Sequence, residues 1–369
     1  MNDYDIKNLI IGNLTARIPI IQGGMGVGVS LSGLASAVAN NGGIGVISTA
    51  GIGMNEPDFF KDFIGANIRA LRREIRKARE KTSGLLGVNI MVALTNFSDM
   101  VRISLEEGID IIFAGAGLPL NLPEFLEGKY KTKLVPIVSS GRAARLIAKK
   151  WSDKYNYIPD AFVVEGPLAG GHLGFKLDEI ENPEYALENL VPEVIEAVKP
   201  FEIEYKKKIP IIAAGGIYTG EDIYEFLHSG VAGVQMATRF VTTNECDASI
   251  EFKNAYINAK EEDIKIIKSP VGMPGRAIVN KYIEDVNAGI KKPYDCPYHC
   301  IHTCDVKNSP YCISLALINA KKGDLQHGFA FAGANAYRAD KIIPINELIG
   351  TLMQEYSEAE AYTSRKIIS

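Results

Sequence analysis

Cysteine is scarce, 5 in 369 residues, too few to staple a chain of this length, so a disulfide scaffold is excluded. Long apolar runs are missing: stretches such as Val163-Val164 and Ile211 to Ala214 fall far short of the roughly 20 residues a bilayer-spanning helix needs. An excess of either charge is absent too. With 40 basic against 44 acidic residues the net charge is −4, which argues against a dedicated binder of nucleic acid or of anionic membranes. The opening Met-Asn-Asp-Tyr-Asp-Ile-Lys places acidic residues before any apolar stretch, the reverse of a signal peptide, so the expected address is cytoplasmic. With 47% hydrophobic and 23% charged residues, the chain reads as a globular protein with a large core, not as a disordered, collagen-like or coiled-coil chain.

Glycine is abundant: 35 residues, with pairs at 23–24, 42–43, 170–171 and 215–216. Paired glycines mark places where backbone must approach something closely. Over the first 240 residues short apolar runs alternate with helical patterns, the signal for parallel strands joined by crossover helices. The strand candidates are Ile18 to Ile21, Gly45 to Ser48, Leu86 to Ile90, Ile111 to Ala114, Leu134 to Val138, Ala161 to Val164, Ile211 to Ala213 and Gly233 to Met236. Eight strand–helix units predict a closed (β/α)8 TIM barrel in preference to an open doubly wound sheet. Gly24, Gly26 and Gly28 do not make a dinucleotide fingerprint, because Val29 stands where the third glycine belongs. P-loop, zincin and nucleophile-elbow motifs are absent as well.

The clearest helix spans Pro57 to Thr82, with Phe60, Ile64, Ile68, Leu71, Ile75 and Ala78 at steps of three and four. Its Arg69, Arg72, Arg73, Arg76, Lys77 and Arg79 are read as a solvated face, since no aromatic platform accompanies them. After Phe240 the alternation breaks into a helical segment around Ala248 to Lys260, a strand at Ile264 to Ile267, and a stretch bearing Cys, Tyr and Gly. The expected organisation is a barrel core at 1–240, an inserted subdomain or lid at 241–344, and a C-terminal helix at 345–369 packing on the barrel.

In such a barrel the ligand lies at the carboxyl ends of the strands, and a phosphate is commonly held after strands seven and eight. Strand seven ends Ala214-Gly215-Gly216, whose N–H groups no Cβ shields, and strand eight ends Gln235-Met236-Ala237-Thr238, which adds a hydroxyl. A plain tight turn is the competing reading of the glycine pair. The loop after strand six, Glu165-Gly-Pro-Leu-Ala169-Gly170-Gly171-His172, holds an imidazole above the barrel mouth, where a general acid or base is useful. Gly23, Gly24 and Met25 after strand one let a flat ring lie against backbone, and Asn89 offers an amide to ring heteroatoms. A flat ring with a phosphate across the mouth has the shape of FMN.

These segments, Pro19 to Met25, Gly87 to Asn89, Val164 to Gly174, Ala214 to Ile217 and Gly233 to Phe240, resemble the nitronate monooxygenase and 2-nitropropane dioxygenase family and its sister, the flavin-dependent enoyl-ACP reductase II. The resemblance covers roughly residues 15 to 280. It implies a non-covalent FMN with Gly170, Gly171, Gly215, Gly216, Ala237 and Thr238 near the phosphate, and Gly23, Gly24, Met25 and Asn89 along the ring. Glu165, Ala169, Gln235 and Met236 belong to the same cofactor-contacting set, and His172 would stand beside the reactive face. Ala237 replaces a glycine common in the family. Ser139-Ser140 stand where many nitronate enzymes carry Lys, and Leu168 replaces an acidic residue of the enoyl reductases.

The implied activity is oxidation of alkyl nitronates with O2, His172 serving as base where a neutral nitroalkane is used. The alternative is an NAD(P)H-dependent enoyl-thioester reductase on the same flavin, and a third reading is a phosphate-binding barrel without turnover. The partners expected are small molecules, with room for a homodimer. Cys296, Cys300, Cys304 and Cys312, with His299 and His302 between them, would align three thiols on one face if Cys296 to Cys304 were helical. Their spacings match no zinc-ribbon or ferredoxin pattern, so packed, reduced thiols with no metal are expected, and Cys246 is read as an ordinary buried thiol.

Overall fold

The computed structural model describes residues 6–296 and 298–368. The first five residues, which carry the acidic start, and Pro297 in the cysteine segment lie outside the described residues. In chain order the strands are β1 (Leu9–Ile11), β2 (Leu14–Ala16), β3 (Ile20–Gln22), β4 (Gly45–Ser48), β5 (Leu86–Met91), β6 (Ile111–Gly115), β7 (Lys133–Val138), β8 (Phe162–Glu165), β9 (Gly171–His172), β10 (Ile211–Ala214), β11 (Gly233–Met236), β12 (Ile264–Lys268) and β13 (Pro274–Ile278). Eight of them form one parallel sheet in the order β3-β11-β10-β8-β7-β6-β5-β4. They are the eight strands expected from the apolar runs, each bounded within two residues of the expectation.

The sheet closes where β3 meets β4 through a single parallel bridge between Ile21 and Ile44. Gln22 donates its N–H to the Ile44 carbonyl at 3.0 Å, and Ile44 donates to Ile20 at 3.0 Å. The ladder then continues through a side chain: the fully buried Gln22 accepts the Val46 N–H on Oε1 at 2.9 Å. A backbone N–H inside a barrel needs an acceptor, and here an amide side chain stands in for a strand carbonyl.

Inward-facing residues fill the barrel as a packed core that includes Ile21, Val46, Phe113, Val135, Val163 and Ile212. The hairpin β1–β2 contributes Leu9, Ile11 and Ala16 to the same cluster and plugs the amino-terminal end. A second apolar layer lies between the strands and the surrounding helices, with Leu71, Ile75, Ile147, Trp151, Val194 and Leu352 among its members.

The long arginine-bearing helix runs Phe63–Lys81 and starts later than its apolar period suggested, because the Asp62 carboxylate accepts the Gly65 N–H at 3.0 Å and sets the first turn. Its arginines meet carboxylates: Arg69 pairs with Asp58, Arg72 with Glu106 and Glu107, Arg76 with Glu107, and Arg79 with Asp110. A stripe already neutralised this way leaves little charge for a phosphate backbone.

After β11 the chain leaves the barrel for about a hundred residues. This excursion carries the helix Ile250–Ile257, the β12–β13 hairpin, and the helices Lys281–Asn287 and Ile313–Lys321. It returns as the helix Ile345–Ile368, which packs on the helix Gly220–His228 and takes the place of the barrel's eighth helix. Asp247 and β13 are among the contacts that tie the excursion to the barrel. Asp247 accepts the N–H groups of Leu31, Gly33 and Leu34 at 2.8–3.2 Å, capping the helix Ser32–Asn40. β13 pairs antiparallel with β12 on one side and with β9 on the other, so the loop after β8 is a strand of the inserted sheet. Among the described residues no helix is long and apolar enough to cross a membrane.

Replacing Gln22 by Leu leaves the Val46 N–H unpaired and is expected to lower the unfolding free energy by about 1–3 kcal/mol. The check is a urea titration of the flavin-free protein, in which the midpoint should fall with the slope unchanged; an unaltered midpoint would mean that the amide contributes nothing to closure.

Candidate active site

A cavity of about 660 Å³ opens at the carboxyl ends of the strands, the face on which a (β/α)8 barrel places its ligands. Gly23, Gly24, Met25, Asn89, Glu165, Ala169, Gly170, Gly171, His172, Gly215, Gly216, Gln235, Met236, Ala237 and Thr238 all line it. The structure thus brings His172 and the cofactor-contacting residues expected from the sequence to one cavity.

Strand parity explains the polar floor. Val163 and Phe113 point into the barrel core, so inward positions near the carboxyl ends of β5, β8 and β11 fall to Asn89, Glu165 and Gln235. No side chain or backbone group among the described residues hydrogen-bonds to these three side chains, although each faces a partly enclosed space. Close approach of the first loop makes the floor flat: a Cβ on Gly24 would lie 2.3 Å from the Asn89 Cβ. Met25 is pinned by Ser30, whose hydroxyl accepts the Met25 N–H at 2.9 Å.

The cradle at the ends of β10 and β11 is built from backbone. Gly215 and Gly216 sit at φ +94° and +95°, a region that favours glycine, and a Cβ on Gly215 would lie 2.8 Å from the Gly166 carbonyl. The turn itself therefore requires this pair. It also leaves ligand donors, since among the described residues nothing accepts the N–H groups of Gly215, Gly216, Ala237 or Thr238. Ala237 has φ −120°, which any residue adopts, so its Cβ leaves this backbone unstrained. At the helix after Gly216 the leading N–H groups are taken: Tyr218 and Thr219 donate to Asp222, which forms a capping box with Thr219, and Gly220 donates to Glu355 at 2.7 Å. Asn89, Glu165 and Gln235 on the floor and four free N–H groups at the rim fit the polar ring edge and the phosphate of an FMN.

The far wall comes from the inserted segment, through residues that no local motif announces. Arg276 on β13 buries its guanidinium and donates to the carbonyls of Pro167 and Ala169, holding the loop after β8. Gly333 donates to Thr238 Oγ1 at 3.0 Å, Ala334 to the Leu168 carbonyl at 3.1 Å, and Asn335 to the Gly216 carbonyl at 2.6 Å. Ser269 places its Oγ 2.7 Å from His172 Nε2. The only sequence signal for them is a stretch rich in Gly and Pro from Ser269 to Arg276, which by itself reads as a turn.

Beyond the floor the cavity is apolar. Phe59, Phe63, Leu94, Ile301 and Ile318 line it, with Tyr298 stacked on Phe63 at 4.3 Å. The described residues between Cys296 and Cys304 are not helical, and Ile301 bridges to Leu94, so the thiols do not align along a helix face. Cys300 reaches the cavity with Sγ 3.1 Å from Ser314 Oγ, and burial pushes its thiol up to about 11. Among the described residues no group of three or more His, Cys, Asp or Glu is placed to hold a metal ion. Cys246 is buried, its Sγ 3.5 Å from the Val29 carbonyl.

Burial sets the charge states. It pushes the His172 imidazole down to about 4 and the Glu165 carboxyl up to about 7, so near neutral pH the first is uncharged and the second only partly ionised. A carboxyl that keeps its proton to higher pH when folded stabilises the fold at low pH, and that contribution is lost as pH rises through about 7. Glu165→Gln cannot ionise. In urea titrations of flavin-free protein its stability relative to wild type should rise between about pH 5 and about pH 8, whereas a constant difference would count against the burial-driven shift.

The model of a family described as nitronate monooxygenase matches residues 7–355. A probable nitronate monooxygenase of Staphylococcus aureus (strain Newman) is 30% identical over 317 residues, covering 76% of this chain and 81% of that one. An indene-carboxyl-CoA dehydrogenase of Mycobacterium tuberculosis is 28% identical over 274 residues, covering 73% and 66%. Among solved structures, FabK from Thermotoga maritima superposes with a TM-score of 0.74 at 27% identity, covering 95% of this chain and 96% of that one. The nitroalkane oxidase of Streptomyces ansochromogenes superposes at 0.72 with 22% identity, covering 94% and 98%, a likeness of fold. With a TIM barrel, a cavity at its catalytic face and a family match spanning nearly the whole chain, the protein belongs to the nitronate monooxygenase family of flavin-dependent oxidoreductases.

Proposed function

We propose that this enzyme oxidises alkyl nitronates with O2 through a non-covalent FMN. The observation that carries the reading is one cavity holding a rim of unpartnered backbone N–H groups, an unpartnered polar floor and an imidazole on the facing wall. When bound, FMN supplies the two-electron redox chemistry. The N–H groups of Gly215, Gly216, Ala237 and Thr238 receive the phosphate, while Asn89, Glu165 and Gln235 meet the polar edge of the ring and Gly23 to Met25 lie along it. His172 meets the nitro group of the substrate, and Leu173 and Phe331 beside it keep water from that face.

A second reading, reduction of an enoyl thioester with NAD(P)H, is favoured by one observation. Among the described residues lining the cavity there is no Lys or Arg to balance a nitronate anion, and the arm lined by Phe59, Phe63, Leu94 and Ile318 suits a neutral substrate with an alkyl chain. Anaerobic mixing separates the two. Ethylnitronate is expected to bleach the flavin absorbance of FMN-loaded protein directly. If ethylnitronate leaves the flavin oxidised, while NADH or NADPH reduces it and an enoyl thioester then reoxidises it, the second reading holds.

The cofactor assignment has its own check. Ala237→Asp puts a carboxylate into the rim at a φ that any residue adopts and should purify folded but without flavin. A folded variant retaining one flavin per chain would place the phosphate elsewhere.

A further inference from the structure

Ser269 lies at the turn between β12 and β13 and is almost fully buried. The turn is closed by its own backbone, with Ser269 donating its N–H to the Met273 carbonyl and Gly272 donating to the Ser269 carbonyl. Its Oγ accepts the Val271 N–H at 3.4 Å and lies 2.7 Å from His172 Nε2. A hydroxyl has one hydrogen to give. Among the described residues Nε2 is the one acceptor within reach of this Oγ. Were Nε2 itself protonated, the buried Ser269 hydrogen would go unpaired, which a buried donor does not tolerate without a large penalty. The hydroxyl therefore donates to Nε2, and a neutral imidazole accepting at Nε2 carries its proton on Nδ1. His172 Nδ1 has no partner among the described residues, and the ring, packed edge-on to Phe331 at 5.0 Å, lines the cavity.

We propose that Ser269 is a positioning residue that locks His172 in its Nδ1–H tautomer, so that the imidazole offers the substrate a hydrogen-bond donor for a nitro or carbonyl oxygen instead of the lone pair of a base. The inference deepens the proposed function and rests on its placement of His172 against the substrate. It departs from the base role expected from the glycine-flanked loop. Burial works in the same direction, because it keeps the ring uncharged and weakly basic. A neutral imidazole donating to a developing negative oxygen is an established catalytic device. The donor serves the nitronate, whose oxygens carry the charge; the Nδ1–H tautomer takes no α-proton, so a neutral nitroalkane is turned over only after it has lost that proton to water or buffer in solution.

The direct test needs no substrate. In the purified protein labelled with ¹⁵N-histidine, with His172→Gln used to assign the signal, NMR at neutral pH should show His172 protonated at Nδ1 and accepting at Nε2. Ser269→Ala should shift the ring toward the Nε2–H form, and Ser269→Thr, which keeps the hydroxyl, should restore the wild-type tautomer. A wild-type ring protonated at Nε2, or a tautomer unchanged in Ser269→Ala, overturns the proposal. In turnover, Ser269→Ala and His172→Ala should retain FMN and lose activity by similar factors on nitroethane and ethylnitronate, on the order of 10²-fold for His172→Ala. A loss confined to nitroethane would reinstate the base and overturn the donor. If the protein oxidises neither compound yet the NMR shows Nδ1–H governed by Ser269, the activity assignment fails while the tautomer assignment stands.

Discussion

Closure of the barrel is the constraint on which the site depends. Eight parallel strands leave unpaired N–H and carbonyl groups at their two edges unless the first and last meet. β3 is only three residues long and joins β4 by one bridge, so the Gln22 amide completes the ladder at Val46. Once the ring is closed, parity decides which side chain ends each strand on the inside. Asn89, Glu165 and Gln235 then converge on a common floor, although they come from three strands that are not neighbours. An open sheet of the same strands would set these three groups in a row.

The second determinant is the position of the excursion. It departs after the last barrel strand and returns as the last barrel helix, so both its ends are anchored in the ring. Its sheet recruits β9 from the loop after β8. That pairing turns a glycine-rich loop, which by composition would be mobile, into a strand braced by Arg276 beneath and Ser269 at the imidazole. The geometry of His172 is therefore set from outside the barrel. The same segment brings Phe331 and Tyr298 to the cavity, so part of its apolar wall is also inserted.

Charge is distributed with similar economy. The arginine-bearing helix spends its cations on neighbouring carboxylates at the rim of the molecule, while among the described residues the cavity lining holds no Lys or Arg. Ionisable groups inside are shifted toward their neutral forms by burial, His172 downward and Glu165 upward. Near neutral pH His172 is thus uncharged and Glu165 only partly ionised before any ligand enters, and at the rim fixed N–H dipoles supply the polarity.

The eight barrel strands, the terminal helix from Ile345 and the glycine loops of the site were legible in the sequence, because each is a local signal: a short β-branched run, a step of three and four, a pair of glycines. The start of the arginine helix was misjudged by several residues, since its apolar period extends beyond the cap that Asp62 imposes. The cysteine spacing left a helix face open as one condition for aligned thiols, and the bridge between Leu94 and Ile301 shows that the condition is not met. Strand parity and loop composition determined which residues reach the mouth of the barrel. Only the tertiary structure decided what holds them there, since Gln22 meets Val46 across the seam, Ser269 meets His172 across 97 residues, and Gly333 meets Thr238 across 95. Periodicity describes how a residue faces its own element and carries no information about which distant hydroxyl or carbonyl will arrive opposite it; that pairing exists only once the ring has closed and the excursion has docked on its rim.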